Sequence, residues 1–531
     1  MDKVIGISCG NPLQGDGGAA LVIDGEPIIA ISEERLSRQK YDGAFLRSLT
    51  YCLEGSGLKI ADIDAFVFGS CGDLPLKYQE IKDLLASKGI EIPREKILIN
   101  HSHDLAHAAS SFFCSPFDRA LIAVVDFEEE IFKGTSLYLG KGNEISPLSC
   151  DSLPGVGAVY EYVTKLLGYS SYQEAGKTMA LAAYGTGELN GLDLFAKVSQ
   201  KSDKHWFSLV KEHMEKRLKR QLKQGSTRQP SAEQIELAWL IQKETEKSLL
   251  QLVKSGIKCS GESNLCMAGG VGLNCVANYF LAKGNAAKSM FIQPASGDSG
   301  QCLGNAFYGY YLARKNRRLL SYAMENAYLG VEYPPEIINQ ALMKYSQYLK
   351  FVPNDGVEEK VSMLLQEGFI VGWFQGKSEF GPRALGNRSI LANPYETKVK
   401  KRLDKIKSRE YYRPYAPSVL AERAAEFFEI SGESPFMLMA VKAKKEKIFL
   451  IPSVVHVDGS SRIQTVTKEQ NPRYYKLIKD FYLNTDVPML LNTSFNRAGE
   501  PIVETPEDAI KCFLATDIDY LALGDVIVSK A

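Results

Sequence analysis

Six basic side chains in the second half of the chain stand among turn formers and aromatics, where they can hold a compact oxyanion. Arg383 and Arg388 lie in Glu379-Phe-Gly-Pro-Arg-Ala-Leu-Gly-Asn-Arg-Ser-Ile-Leu-Ala-Asn-Pro, directly after the apolar run Phe369-Ile-Val-Gly-Trp-Phe, which reads as a buried strand. Lys407, Arg409 and Arg413 follow in Lys405-Ile-Lys-Ser-Arg-Glu-Tyr-Tyr-Arg-Pro-Tyr-Ala-Pro-Ser, and Arg462 in His456-Val-Asp-Gly-Ser-Ser-Arg-Ile-Gln. Guanidinium forks bind phosphate or carbamate oxygens in pairs, and neighbouring glycines let backbone N–H groups approach the same oxygens. A single arginine capping a surface loop is an ordinary alternative. Three such stretches in one neutral protein favour the cradle.

A second group lies in the first half. Asn100-His-Ser-His-Asp-Leu-Ala-His-Ala-Ala-Ser-Ser carries three of the six histidines. His103 and His107 are spaced i, i+4, so on a helix they share one face and can bind one metal ion, whereas His101 points elsewhere. Two polar histidines on a helix face are the simpler reading of the spacing alone. Asp126 ends the apolar strand Arg119-Ala-Leu-Ile-Ala-Val-Val-Asp, where an uncompensated carboxylate is expensive. Asp298 sits in the glycine-flanked turn Pro294-Ala-Ser-Gly-Asp-Ser-Gly before a helix. Two imidazoles and two carboxylates suit iron, manganese or zinc better than calcium.

Two further stretches have the composition of a nucleotide site. Tyr172-Gln-Glu-Ala-Gly-Lys-Thr places Glu174 and Lys177 around a glycine, and Leu265-Cys-Met-Ala-Gly-Gly-Val-Gly-Leu-Asn-Cys is a buried strand running through a Gly-Gly turn into a helix. Amides at such a helix start favour phosphate or ribose oxygens, although a Gly-Gly pair also serves as a plain tight turn. No Walker-type loop is present in the sequence.

In this order the motifs resemble the O-carbamoyltransferases of antibiotic and nodulation-factor biosynthesis, the family of the tobramycin, cephem, novobiocin and ansamycin enzymes. The resemblance continues through Leu490-Leu-Asn-Thr-Ser-Phe-Asn-Arg-Ala-Gly-Glu-Pro-Ile-Val. It implies an α/β protein with a duplicated, actin-like (TsaD-like) nucleotide- and metal-binding domain, residues 1–335, followed by a YrdC-like α/β domain, residues 336–531. It implies that His103, His107, Asp126 and Asp298 hold a metal, commonly iron, next to the nucleotide phosphates, and that Gly269, Gly270 and Asn274 contact adenosine. Arg383, Lys407, Arg413, Arg462 and Ser494 match the anion-binding positions, with Arg388, Asn492 and Asn496 in the same motifs. The implied reaction joins carbamoyl phosphate and ATP into carbamoyl adenylate and passes the carbamoyl group to an acceptor hydroxyl.

The chain departs from the family pattern twice. Gly15-Asp16 stands where relatives commonly have His-Asp, which leaves Asp16, another side chain or the acceptor itself to handle the acceptor proton. Asp126 is followed by Phe127-Glu-Glu-Glu rather than glycine, and Glu128, Glu129 and Glu130 suit either a cationic acceptor or a solvated hairpin face.

The elements that must position these groups follow from patterning. Lys3-Val-Ile-Gly-Ile-Ser-Cys begins a strand, and residues 19–34 read as two strands joined at Asp24-Gly25. The same plan recurs from Arg119 through Gly134-Thr-Ser-Leu-Tyr-Leu-Gly-Lys-Gly-Asn-Glu-Ile, the duplication that an actin-like fold would show. Residues 196–230, dense in Lys and Arg at helical spacing, read as a solvated helical insertion, with a docking surface for an anionic acceptor as the other reading. Residues 232–255 read as a packing helix.

At 531 residues two or three domains are expected. Lys plus Arg equals Asp plus Glu at 63 each, which speaks against nucleic acid as a main partner and hence against a threonylcarbamoyl-tRNA enzyme. Ten cysteines without a Cys-x-x-Cys pair argue against a zinc ribbon and against a hydrogenase-maturation carbamoyltransferase, and point to buried thiols. With neither a leader pattern nor a transmembrane-length apolar run, the reading is a cytosolic protein with no membrane partner. A non-catalytic nucleotide-binding regulator is the remaining competitor.

Overall fold

Three sheets carry the candidate residues. The computed structural model describes residues 1–10, 15–70, 76–127, 135–150, 155–188, 226–316, 322–353 and 355–531. Glu128, Glu129, Glu130 and most of the 196–230 insertion lie outside the described residues.

The first sheet is built from β1 (Lys3–Cys9), β2 (Gly18–Ile23), β3 (Glu26–Ser32), β4 (Ala65–Ser70) and β5 (Ile97–Asn100), in the order β3-β2-β1-β4-β5. The second is built from β6 (Arg119–Val125), β7 (Thr135–Lys141), β8 (Glu144–Pro147), β9 (Asn264–Ala268) and β10 (Ser289–Ile292), in the order β10-β9-β6-β7-β8. Read from its first strand, each sheet is a meander of three antiparallel strands with two parallel strands added beside the first. The expected duplication is therefore present, strand for strand. β1, β6 and β9 are buried almost throughout, as their predominantly apolar composition requires of central strands.

The third sheet has nine strands: β11 (Leu349–Pro353), β12 (Val371–Phe374), β13 (Arg388–Ala392), β14 (Ala416–Leu420), β15 (Met439–Lys442), β16 (Ser460–Val466), β17 (Met489–Ser494), β18 (Tyr520–Leu523) and β19 (Val526–Lys530). Their order is β11-β19-β18-β12-β13-β17-β14-β16-β15. Two compact units result. One comprises Met1–Glu33 and Tyr41–Met324, and the other Glu34–Lys40 and Glu325–Ala531.

Two helices of the first unit pack unusually close. The helix His103–Phe112 starts at Ser102, whose hydroxyl accepts the Leu105 amide, and it lies against the helix Gln301–Phe307. A Cβ on Gly304 would come within 1.9 Å of the Ala106 carbonyl oxygen, so only glycine allows this approach. Among the described residues no helix is long and apolar enough to cross a membrane, and the cysteines are free thiols, most of them buried.

Gly304→Val is expected to force the two helices apart and to lower stability by about 1–3 kcal/mol. A lowered midpoint in urea unfolding, with the slope unchanged, is the measurement that checks it.

Candidate functional site

In the first unit, four side chains from separate elements converge. His103 and His107 come from one helix face, Asp126 from the end of β6, and Asp298 from the turn after β10. His107 Nε2 lies 2.9 Å from Asp126 Oδ2 and 3.3 Å from Asp298 Oδ1, and His103 Nε2 lies 3.5 and 3.6 Å from the same two oxygens. One donor atom from each residue falls within 4.8 Å of the others, a group that can hold a metal ion. The donor set fits a first-row divalent cation, with imidazole and carboxylate converging where His107 is buried and the other three side chains are half-buried. Burial alone would pull the His107 imidazole down, but Asp126 and Asp298 more than offset it and raise it to about 10. Burial would raise the Asp126 carboxyl, yet the two histidines hold it well below the usual range. Both shifts say that the cluster seeks positive charge.

The outer partners are backbone and amide groups. Asp126 Oδ1 accepts the Phe127 amide at 2.9 Å and the Gly270 amide at 3.1 Å, which leaves Oδ2 for the histidines. Gly269 has φ +89°, and a Cβ there would meet the Val125 carbonyl oxygen at 2.4 Å, so the Gly-Gly turn brings that amide to Asp126. Gln301 also reaches the cluster, its amide nitrogen 3.1 Å from His107 Nε2. Sequence reasoning missed it. The available signal was its position three residues after Asp298 at a helix start, which turns both toward one side.

The other nucleotide candidates are placed differently. Glu174 and Lys177 form an ion pair at 2.5 Å, and Glu174 also accepts from the Ser170 amide and hydroxyl. Asn274, expected at adenosine, is buried as the cap of the helix Cys275–Lys283. Its Oδ1 accepts the Ala277 amide and its Nδ2 donates to Gln242, so local structure claims both ends of this side chain. Asp16 is half-buried just before β2, with its carbonyl accepting the Ser8 hydroxyl.

In the second unit, strand register sorts the candidates by face. Ser389 of β13 is opposite Ser494 of β17, Asn492 is opposite Ala416 of β14, and Ser418 of β14 is opposite Gln464 of β16. Alternation therefore places Ser494, Asn492, Ser418, Gln464 and Arg462 on one face. Asn492 Nδ2 donates to Ser418 Oγ at 2.9 Å and to the Ala384 carbonyl at 3.2 Å, tying the residue beside Arg383 to that face. Lys407, just after the helix Thr397–Ile406, donates to the Ser494 and Asn496 carbonyls, both at 2.8 Å, and to the Ser494 hydroxyl at 3.1 Å. Burial, then the charge of Arg409 with lesser contributions from Lys40 and Arg413, lowers Lys407 to about 7. Burial and Arg413, then Arg462, likewise lower Arg409 to about 9. These five cations share one neighbourhood. The Arg409 guanidinium packs 4.7 Å over the Tyr415 ring, and its Nε is buried without a hydrogen-bond partner.

Arg388 corrects the sequence expectation. It is opposite Phe374 of β12, one residue out of phase with Ser389, so it faces away from Ser494, Asn492 and Arg462. Fully buried, it stacks 3.6 Å over the Phe374 ring and donates to the carbonyls of Gln375, Gly376, Asn387 and Glu504. Its charge organises backbone. Glu379 does the same with opposite sign, its Oε1 accepting the amides of Leu385, Asn387 and Arg388. Arg35 was also missed: it belongs to the second unit, and its guanidinium donates to the Gly381 carbonyl at 2.9 Å, beside Arg383. No pattern around Glu34–Lys40 announces a contact more than three hundred residues away.

Profiles of the carbamoyltransferase N-terminus match residues 3–80 and 73–307, and a profile of the carbamoyltransferase C-terminus matches residues 362–530. The chain belongs to the carbamoyltransferase family. Nodulation protein NolNO of Sinorhizobium fredii is 35% identical over 98% of this chain and 80% of that protein. The 3'-hydroxymethylcephem-O-carbamoyltransferase of Amycolatopsis lactamdurans is 26% identical over 97% of this chain and 98% of that one. Among solved structures, component A of the Acidaminococcus fermentans (R)-2-hydroxyglutaryl-CoA dehydratase aligns with a TM-score of 0.35 at 15% identity, over 59% of this chain and 100% of that one, a likeness too slight to bear on function.

Arg388→Met is expected to strand four carbonyl acceptors and to cost about 3–5 kcal/mol of stability. Thermal melting checks this, and a Tm equal to that of the wild type would contradict the backbone role.

Proposed function

We propose that the chain is an ATP-dependent O-carbamoyltransferase acting on a hydroxyl of a small natural-product acceptor. The carrying observation is the shared neighbourhood of Lys407, Arg409, Arg413 and Arg462 on a unit whose sequence matches the carbamoyltransferase C-terminus. Lys407, Arg409, Arg413 and Arg462 are half-buried close together, and an anion of high charge density offsets the cost of holding like charges there. The proposed YrdC-like role of this unit is to bind carbamoyl phosphate there. Arg383, Lys407, Arg413, Arg462 and Ser494 face the anion, Asn492 orients the Arg383 loop, and Asn496 accepts from Lys407 and steers its ammonium group.

In the proposed sequence, water releases phosphate from carbamoyl phosphate, the resulting carbamate oxygen attacks the α-phosphorus of ATP, and pyrophosphate leaves. Carbamoyl adenylate remains. The acceptor hydroxyl then attacks the carbamoyl carbon, the bond to AMP breaks, and the hydroxyl proton passes to a base, for which Asp16 is proposed. The arginines and Lys407 stabilise charge on the phosphoryl oxygens as it develops. Glu174, Lys177 and the Gly269-Gly270 amides are proposed for the nucleotide, Gly270 being the turn that also steadies Asp126. Asp298 would serve both nucleotide and metal. A divalent cation held by His103, His107, Asp126 and Asp298, iron in the first instance, would supply phosphate neutralisation and Lewis acidity when bound. The cephem enzyme's name supports a hydroxyl acceptor in a relative of the same length class.

Pyrophosphate release from ATP and carbamoyl phosphate by iron- or manganese-loaded protein tests the reading. Release is expected from the wild type, reduced by about a hundredfold or more in Arg383→Ala. A metal-loaded wild type that releases none would sink it.

Lys407 gives a pH signature. Its folded pKa of about 7 is below the unfolded value, so above pH 7 the folded chain holds a neutral amine while the unfolded chain still binds the proton. Stability from this group therefore rises with pH between about 7 and 10.5. An anion lifts the pKa back. Sulfate, whose own charge is constant here, should bind with uptake of close to one proton at pH about 8, fading below pH about 6, where Lys407 is already charged. Calorimetry in two buffers of different ionisation enthalpy reads the uptake, which should vanish in Lys407→Arg.

A further inference from the structure

Gln301 is a neutral side chain among the charged groups of the His/Asp cluster. It is fully buried, and its amide nitrogen lies 2.9 and 3.0 Å from the two ring nitrogens of His103, 3.1 Å from His107 Nε2 and 3.3 Å from Asp298 Oδ1. The terminal group thus stands among the same donor atoms that converge on a cation. Its other end has no such company: Oε1 is buried and has no hydrogen-bond partner. A dry, unpartnered carbonyl oxygen costs about 1–3 kcal/mol.

The two ends of a glutamine amide exchange by a half-turn about the Cγ–Cδ bond, with almost no change in shape. After that half-turn, Oε1 faces the imidazole nitrogens and the Asp298 carboxylate. Oxygen against carboxylate is repulsive without positive charge between them, and favourable with it. Amide oxygens are ordinary ligands for hard divalent cations. We infer that Gln301 is a fifth protein ligand, its Oε1 joining His103, His107, Asp126 and Asp298 on one divalent cation. This rests on the cation-binding reading of that cluster and adds the coordination number to it.

The consequence is selectivity. Two imidazoles and two carboxylates alone satisfy tetrahedral zinc, whereas a fifth, hard oxygen ligand raises the coordination number and favours manganese or iron(II). Gln301 sits on the helix that Gly304 presses against the histidine helix, so its reach into the cluster is set by that packing rather than by a loop.

The test is metal binding by the full chain, read without turnover. Chelator-stripped protein is titrated calorimetrically with Mn²⁺ and with Zn²⁺, beside Gln301→Leu and Gln301→Glu, and the Co²⁺ absorption spectrum reports coordination number. The wild type should give the weak visible bands of a five- or six-coordinate Co²⁺ centre. Gln301→Leu should lose about tenfold or more in Mn²⁺ affinity and much less in Zn²⁺ affinity, with an intensified, four-coordinate Co²⁺ spectrum. Gln301→Glu, which keeps an oxygen donor, should bind Mn²⁺ at least as tightly as the wild type. An intense four-coordinate Co²⁺ spectrum in the wild type overturns the inference without any variant, as do unchanged Mn²⁺ affinity in Gln301→Leu or equal losses in both variants. A wild type that binds none of the three cations overturns the cation-binding reading itself.

Discussion

Two carboxylates and two imidazoles converge only if something holds them together, and here it is the approach of two helix backbones. The contact at Gly304 and Ala106 leaves no room for a side chain, so the helix carrying His103 and His107 and the helix that follows Asp298 behave as one rigid piece. Asp126 is fixed against that piece from the other side, by amides of Phe127 and Gly270 that take one carboxylate oxygen and direct the other. The electrostatic strain of the cluster is therefore carried by backbone packing.

The second unit handles charge in two opposite ways on two faces of one sheet. Arg388 and Glu379 are spent on backbone groups, cation on carbonyls and carboxylate on amides, which converts the irregular turn before β13 into a rigid support. On the other face, Arg409 and Arg413 stand close enough to Lys407, and Arg413 and Arg462 close enough to Arg409, to lower the basicity of Lys407 and Arg409.

Much of this was legible in the sequence. The i, i+4 histidines, the strand-ending Asp126, the turn at Asp298 and the hairpins of both sheets follow from periodicities of 3.6 and 2, which burial enforces. Motif membership carries no information about strand phase, and one residue of register puts Arg388 on the face opposite Ser494, Asn492 and Arg462. Asn274 also caps the helix that follows it, a role that an asparagine at a helix start suits and that its motif does not announce. Gln301 and Arg35 were invisible for a different reason. Neither belongs to a local pattern, and both act through contacts made only by tertiary packing.

The seven residues Glu34–Lys40 give the second unit a discontinuous ancestry in the chain. Arg35 and Arg38 supply guanidinium donors to carbonyls at Gly381, Pro501 and Ile502, and Arg38 pairs with Asp508. A gene fragment that starts at Glu325 would leave those donors behind, and four groups built to receive them would turn to solvent. An excised second unit that keeps these contacts therefore has to carry Glu34–Lys40 as well as Glu325–Ala531.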